Sequence, residues 1–179
     1  MEAKEKILDM TPLGMRFTVL KNSTETNGRS LDLQWELLPG CNMKDPLVHI
    51  HPHAIETYDI QEGEMEFFIK DKWITARAGD KLEVPKGTPH AFRNPTDEVV
   101  RLYNTHQPAL RMEEYFEDVV KVLDKVTHHR TKPFSMNFNA KLYLGALMSH
   151  YRNDIIAVSP PDILVRILGV IGKVIGIRY

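Results

Sequence analysis

The chain lacks the features that mark secretion or broad nucleic-acid binding. It has one cysteine, Cys41, so no internal disulfide can form and a secretory disulfide framework is excluded. The first ten residues, MEAKEKILDM, are charged and have no apolar core of the kind a signal peptide needs, so a cytoplasmic location is the expectation. With 23 Lys and Arg against 24 Asp and Glu, the net charge is -1, and a whole-surface electrostatic footprint for nucleic acid is absent. What remains is the balance of an ordinary globular protein: 179 residues, 42% hydrophobic and 26% charged. That length buries a core without disulfide or metal staples.

Composition and period both shift near residue 108. Residues 1–107 carry 13 basic and 17 acidic residues, and residues 108–179 carry 10 and 7. The first part reads as short strands. Leu31 to Leu37 alternates apolar and polar without a break, and Glu64 to Lys70 places Met65, Phe67 and Ile69 on one face. Asp71-Lys72 reads as a tight connection into Trp73–Arg77, Ala78-Gly79-Asp80 as a turn, and Val99–Tyr103 as a further strand. Strands at this spacing point to a sandwich or closed barrel. After Pro108 the spacing is helical over 111–124 and 140–153, and a third helix follows Ser159-Pro-Pro-Asp162. The expected division is a β-barrel over 10–107 and a helical extension over 108–179.

The stretch Leu47-Val-His-Ile-His-Pro-His-Ala-Ile-Glu56 carries the chemistry. Side chains at i and i+2 of a strand share a face, so His49 and His51 point the same way. Pro52 cannot donate to a sheet ladder and ends the strand, which leaves His53 in the turn. Glu56 has the parity of Tyr58 and Ile60 and should face inward, where a carboxylate is costly unless paired or bound to a metal. His90 shares a face with Phe92 and Asn94. Three imidazoles and one carboxylate in one barrel suit a divalent first-row metal, namely Fe, Mn, Ni, Zn or Cu, and donor identity does not choose among them.

These residues resemble the cupin superfamily. His49-Ile-His51, four residues, Glu56, six residues and Gly63 look like its first signature. Gly79, five residues, Pro85-Lys-Gly87, two residues, His90, three residues and Asn94 match its second, and 15 residues separate the two. One departure is the leading glycine: eight residues lie between Gly40 and His49, against the usual five, which implies a longer loop. The resemblance covers roughly residues 30–107. It implies a mainly β fold, a double-stranded β-helix or jelly-roll barrel followed by C-terminal α-helices, with metal ligands His49, His51, Glu56 and His90. It further implies a homodimer and a dioxygenase-like enzyme similar to quercetin dioxygenase, acting on a small organic molecule with Glu56 as ligand and proton acceptor by turns. Other cupins with such a site isomerise or decarboxylate small acids and sugars. The alternative is a non-catalytic barrel that binds or senses a small ligand and passes the signal through the helices.

Several residues stay secondary. His53 is the substitute ligand if the register is off by two, and otherwise stands behind the ligands or in solvent. His106 reads as a loop histidine where the last strand leaves the barrel, with the pocket mouth as its alternative. Tyr58, Phe67 and Phe92 read as core that can also line the pocket. His128 and His129 read as solvated linker, and Cys41 as structural, because no base partner is identified. Residues 163–177, ILVRILGVIGKVIGI, span roughly 22 Å as a helix, short of a bilayer core of about 30 Å. This segment is expected to pack on the barrel or a partner subunit, or to make peripheral contact with a membrane. Packing is the first expectation, and the eight Lys and Arg against two Asp and Glu over residues 125–179 add weight to the membrane reading. Gly172 and Gly176 form a small-xxx-small pair that would permit close helix approach.

Overall fold

A computed structural model describes residues 5–44, 46–131 and 133–177. The period-two segments become antiparallel strands: β1 (Lys6–Met10), β2 (Met15–Lys21), β3 (Leu31–Leu37), β4 (Val48–Ile50), β5 (Ile55–Glu62), β6 (Glu64–Ile69), β7 (Lys72–Arg77), β8 (Lys81–Val84), β9 (His90–Arg93), β10 (Val100–Gln107) and β11 (Ile156–Ser159). They form a six-stranded sheet ordered β1-β2-β3-β10-β5-β8 and a five-stranded sheet ordered β11-β4-β9-β6-β7. The inward residues of both sheets fill the space between them. Trp35 stacks on Phe17 at 4.2 Å between ring centroids and meets Tyr58 edge-on at 5.6 Å. Phe67 closes on Tyr58 at 4.7 Å, and Phe92 on Trp35 at 5.2 Å.

Asn94, fully buried, ties the loops at one end. Its Nδ2 donates to the carbonyls of Leu37, Leu38 and Glu98, and its Oδ1 accepts from the Thr96 amide. At Gly63, between β5 and β6, φ is +83°, and a Cβ would stand 3.2 Å from Val100 Cγ2. The backbone there needs the left-handed region and the space, which only glycine supplies without strain.

The strands depart from the sequence expectation in three places. The hairpin after β6 turns at Lys70-Asp71, one residue earlier than expected. Both residues have positive φ (52° and 62°), as a two-residue hairpin loop requires, and Ile69 pairs with Lys72. Strand β10 runs on from Tyr103 to Gln107, against β3 on one side and β5 on the other. The sheets also take strands from outside residues 10–107, since β1 starts at Lys6 and β11 lies within the C-terminal segment. Both are too short for periodicity to reveal.

The helices are α1 (Met112–Val126), α2 (Phe138–His150) and α3 (Asp162–Val174). Helix α1 buries Met112, Tyr115, Phe116, Val119, Val122 and Leu123, each contributing about 2 kcal/mol. Its Phe116 meets Phe17 edge-on at 5.1 Å, which seats the helix on the barrel. Helix α2 begins earlier than its apolar pattern because Asn137 caps it, with its side chain accepting from the Ala140 amide at 3.0 Å. It is tied to α1 through Tyr151, whose hydroxyl donates to Asp118. Helix α3 packs on α2 through Val165, Gly169 and Gly172. Gly176 lies past the helix end at φ +79°, so the close approach uses Gly169 and Gly172 rather than Gly172 and Gly176. Among the described residues no helix is long and apolar enough to cross a membrane.

Candidate metal centre

Both sheets contribute to one cluster of side chains. His49 on β4 sits directly opposite His90 on β9, with ring centroids 4.2 Å apart. His51 follows the end of β4 and meets His49 edge-on at 5.1 Å. Glu56 comes from β5 in the other sheet, on the inward face it shares with Tyr58 and Ile60. One donor atom from each of His49, His51, Glu56 and His90 lies within 4.8 Å of all the others, and all four residues are buried.

The imidazoles are held in one tautomer. His49 Nδ1 lies 3.1 Å from the Leu47 carbonyl, His51 Nδ1 2.9 Å from the Asp154 carbonyl, and His90 Nδ1 2.9 Å from the Thr88 carbonyl. A carbonyl oxygen can only accept, so each Nδ1 carries a proton and donates it. That leaves each Nε2 with a free lone pair when the ring is neutral. The Nε2 atoms of His90 and His51 then stand 2.9 and 3.3 Å from Glu56 Oε2. Two lone-pair nitrogens this close to a carboxylate oxygen require a positive charge among them, either a proton or a metal ion.

Comparison with known proteins accords with this geometry. Residues 34–106 match the family model described as Cupin domain. The barrel has the cupin fold. Among solved structures, an RmlC-like cupin from Shewanella frigidimarina is similar at TM-score 0.52 and 21% identity, over 63% of this chain and 92% of that one. KdgF from Halomonas sp. is similar at TM-score 0.51 and 13% identity, again over 63% of this chain and 92% of that one. These are likenesses of fold. Comparison with curated proteins gave no match.

In the cupin barrel the Glu56 carboxylate has two differently held oxygens. Oε2 faces His51 and His90, while Oε1 accepts from Asn104 Nδ2 at 2.9 Å and lies 3.3 Å from His106 Nε2. Burial would raise the carboxyl pKa, but the facing His106, His51 and His90 bring it well below the usual carboxylate range. Burial and the neighbouring His90 and His51 push His49 well below the ordinary imidazole value. His51 goes the other way: burial opposes its charge, yet the hydrogen bond and charge of Glu56 outweigh that and raise it. Glu56 thus favours positive charge on the His51 side of the cluster. Three imidazole nitrogens and one carboxylate fit a divalent transition ion of the kind cupins hold.

The remaining candidates fall in different places. His53 is exposed in the bend after Pro52. Tyr58 is buried beside Glu56, and Phe67 and Phe92 lie in the aromatic core. His106 is no loop residue: it is buried in β10, paired in register with Glu56. Burial pushes its pKa down to about 4. Asn104 and Asp154 were not singled out by sequence. Extending the alternation of β10 past Tyr103 would have put Leu102, Asn104 and His106 on one inward face, whereas nothing local marks the Asp154 carbonyl. His128 and His129 are exposed in the turn after α1. Cys41 is buried, with its thiol pushed up to about 12 by burial, which is the structural role expected.

Replacing both His49 and His51 by Ala removes two of four donors and leaves the aromatic core of Phe17, Trp35, Tyr58, Phe67 and Phe92 in place, so the variant should stay folded by circular dichroism. It should also lose stoichiometric metal uptake in competition with a chelator. A second expectation concerns acid stability of the metal-free protein. His106 stays neutral in the folded chain down to about pH 4, whereas an unfolded histidine protonates near 6.5. The unfolded state thus binds more protons in that window, and stability falls as the pH falls through it. His106→Gln should flatten this limb by up to about 3 kcal/mol in urea titrations across it.

Proposed function

We propose that this cupin domain binds one divalent transition metal through His49, His51, Glu56 and His90 and acts as a dioxygenase-like enzyme on a small organic molecule. The observation that carries the reading is the convergence of three carbonyl-anchored imidazoles on a buried carboxylate. A bound ion would supply Lewis acidity and, if redox-active, one-electron chemistry. The protein's own residues do the rest. Asn104 holds Glu56 Oε1, which leaves Oε2 to ligate or to accept a substrate proton. Among the described residues Asn104 Oδ1 and His106 Nδ1 are buried without hydrogen-bond partners, which favours a substrate with polar groups of its own. The free, buried Cys41 suits a reducing compartment such as the cytoplasm.

One observation supports a second reading, that of a ligand sensor. The C-terminal segment touches the centre directly, since the Asp154 carbonyl anchors His51 and β11 pairs Ala157 with His49. Binding at the cluster would therefore bear on the helices. Oxygen uptake by metal-loaded protein, screened against flavonols, catechols and small keto acids, separates the two. The enzyme reading expects turnover with one of these classes and a loss of about 100-fold or more in Glu56→Gln. Ligand binding without turnover, accompanied by altered hydrogen exchange over 111–177, would contradict the enzyme and support the sensor.

A further inference from the structure

Helix α3 spends its packing face on glycine. A Cβ at Gly169 would lie 2.8 Å from the Gly145 carbonyl, one at Gly145 would lie 2.8 Å from Leu168 Cβ, and one at Gly172 would lie 3.2 Å from the Leu142 carbonyl. The two backbones therefore touch along this line, and the large side chains of α3 fall on its other faces. Ile163, Leu164, Ile167, Val170, Ile171, Val174 and Ile175 stand 39 to 81% exposed. At 100° per residue, Ile163, Ile167, Val170 and Val174 form a stripe opposite Val165 and Gly169. The patch extends beyond the helix. Leu142 faces Gly172, so the start of α2, with Phe138 exposed, lies beside the C-terminal end of α3. An exposed apolar surface of this kind is a docking site.

Charge selects the occupant. Arg166 and Lys173 are exposed on one flank of the stripe, seven residues apart, and neither has an acidic partner among the described residues. The helix's acidic residue, Asp162, is already paired with Arg152 at 3.1 Å. If two copies paired antiparallel about the middle of the stripe, each Arg166 would face a Lys173. If they paired parallel, like would face like. Neither arrangement offers these cations a counter-charge, whereas an anionic lipid surface does. The segment's excess of eight basic over two acidic residues across 125–179 has the same sign. A helix of 13 residues is about 20 Å long and too short to span a bilayer, but it is long enough to lie in its interface.

We propose that the exposed face of α3 docks on an anionic membrane surface, with Ile163, Ile167, Val170 and Val174 entering the interfacial layer and Arg166 and Lys173 meeting the headgroups. This docking does not depend on the metal centre.

The test is cosedimentation of the full chain with vesicles of phosphatidylglycerol mixed with phosphatidylcholine, and with vesicles of phosphatidylcholine alone. Binding to the anionic vesicles is expected, weaker on the neutral ones and falling with added salt. Ile167→Glu with Val174→Glu should lower it by about tenfold or more. Both positions are exposed, so the variant should keep the wild-type circular dichroism. The wild-type salt and lipid dependence carries the test independently of that variant. Failure of the folded wild type to bind anionic vesicles would overturn the proposal, as would binding indifferent to lipid charge or salt. Light scattering that shows a dimer dissolved by the same two substitutions, with no vesicle binding, would assign the face to a second copy instead.

Discussion

Three backbone carbonyls set the character of this protein. By accepting the Nδ1 protons of His49, His51 and His90, the oxygens of Leu47, Asp154 and Thr88 turn three Nε2 lone pairs toward one point. Glu56 brings a buried negative charge to that point from the opposite sheet. Each half alone carries an electrostatic cost. Unopposed lone pairs would repel, and an unopposed carboxylate would be driven to take up a proton. Together they form a donor set that suits a divalent cation.

The fold serves this convergence. His49 and His90 are brought opposite each other by the pairing of β4 with β9, whereas Glu56 arrives on β5, flanked by β10 and β8. The aromatic core of Phe17, Trp35, Tyr58, Phe67 and Phe92 fixes the separation of the two walls. The C-terminal segment takes part as well: the Asp154 carbonyl anchors His51, and the Asp154 side chain accepts from the Arg111 amide at the start of α1. The helical part is thereby bonded to the donor cluster and is more than an appendage to the barrel.

Much of this was legible in the residues. Parity along 47–60 puts His49, His51 and Glu56 inward, and the spacing of two signatures adds His90. What stayed hidden depends on contacts between distant segments. His106 reads as a loop histidine only because the strand pattern read from sequence stops at Tyr103. Its continuation is stabilised by pairing with β3 and β5, which lies outside local sequence. Four residues at 156–159 carry too little pattern to announce a strand. The Asp154 carbonyl is a backbone atom, and no residue type signals its use as an acceptor. The apolar character of 163–177 is plain in sequence, but which side of it stays uncovered follows from Gly145, Gly169 and Gly172 meeting across two helices.

The proposed centre has one metal ion held by the four convergent donors. Anomalous diffraction from crystals of protein purified without added metal tests it most directly. One strong peak per chain is expected, shared by Nε2 of His49, His51 and His90 and by Oε2 of Glu56, with an absorption edge that names the element. A peak at other residues, or none even after soaking with iron, manganese, nickel, zinc and copper salts, would contradict it.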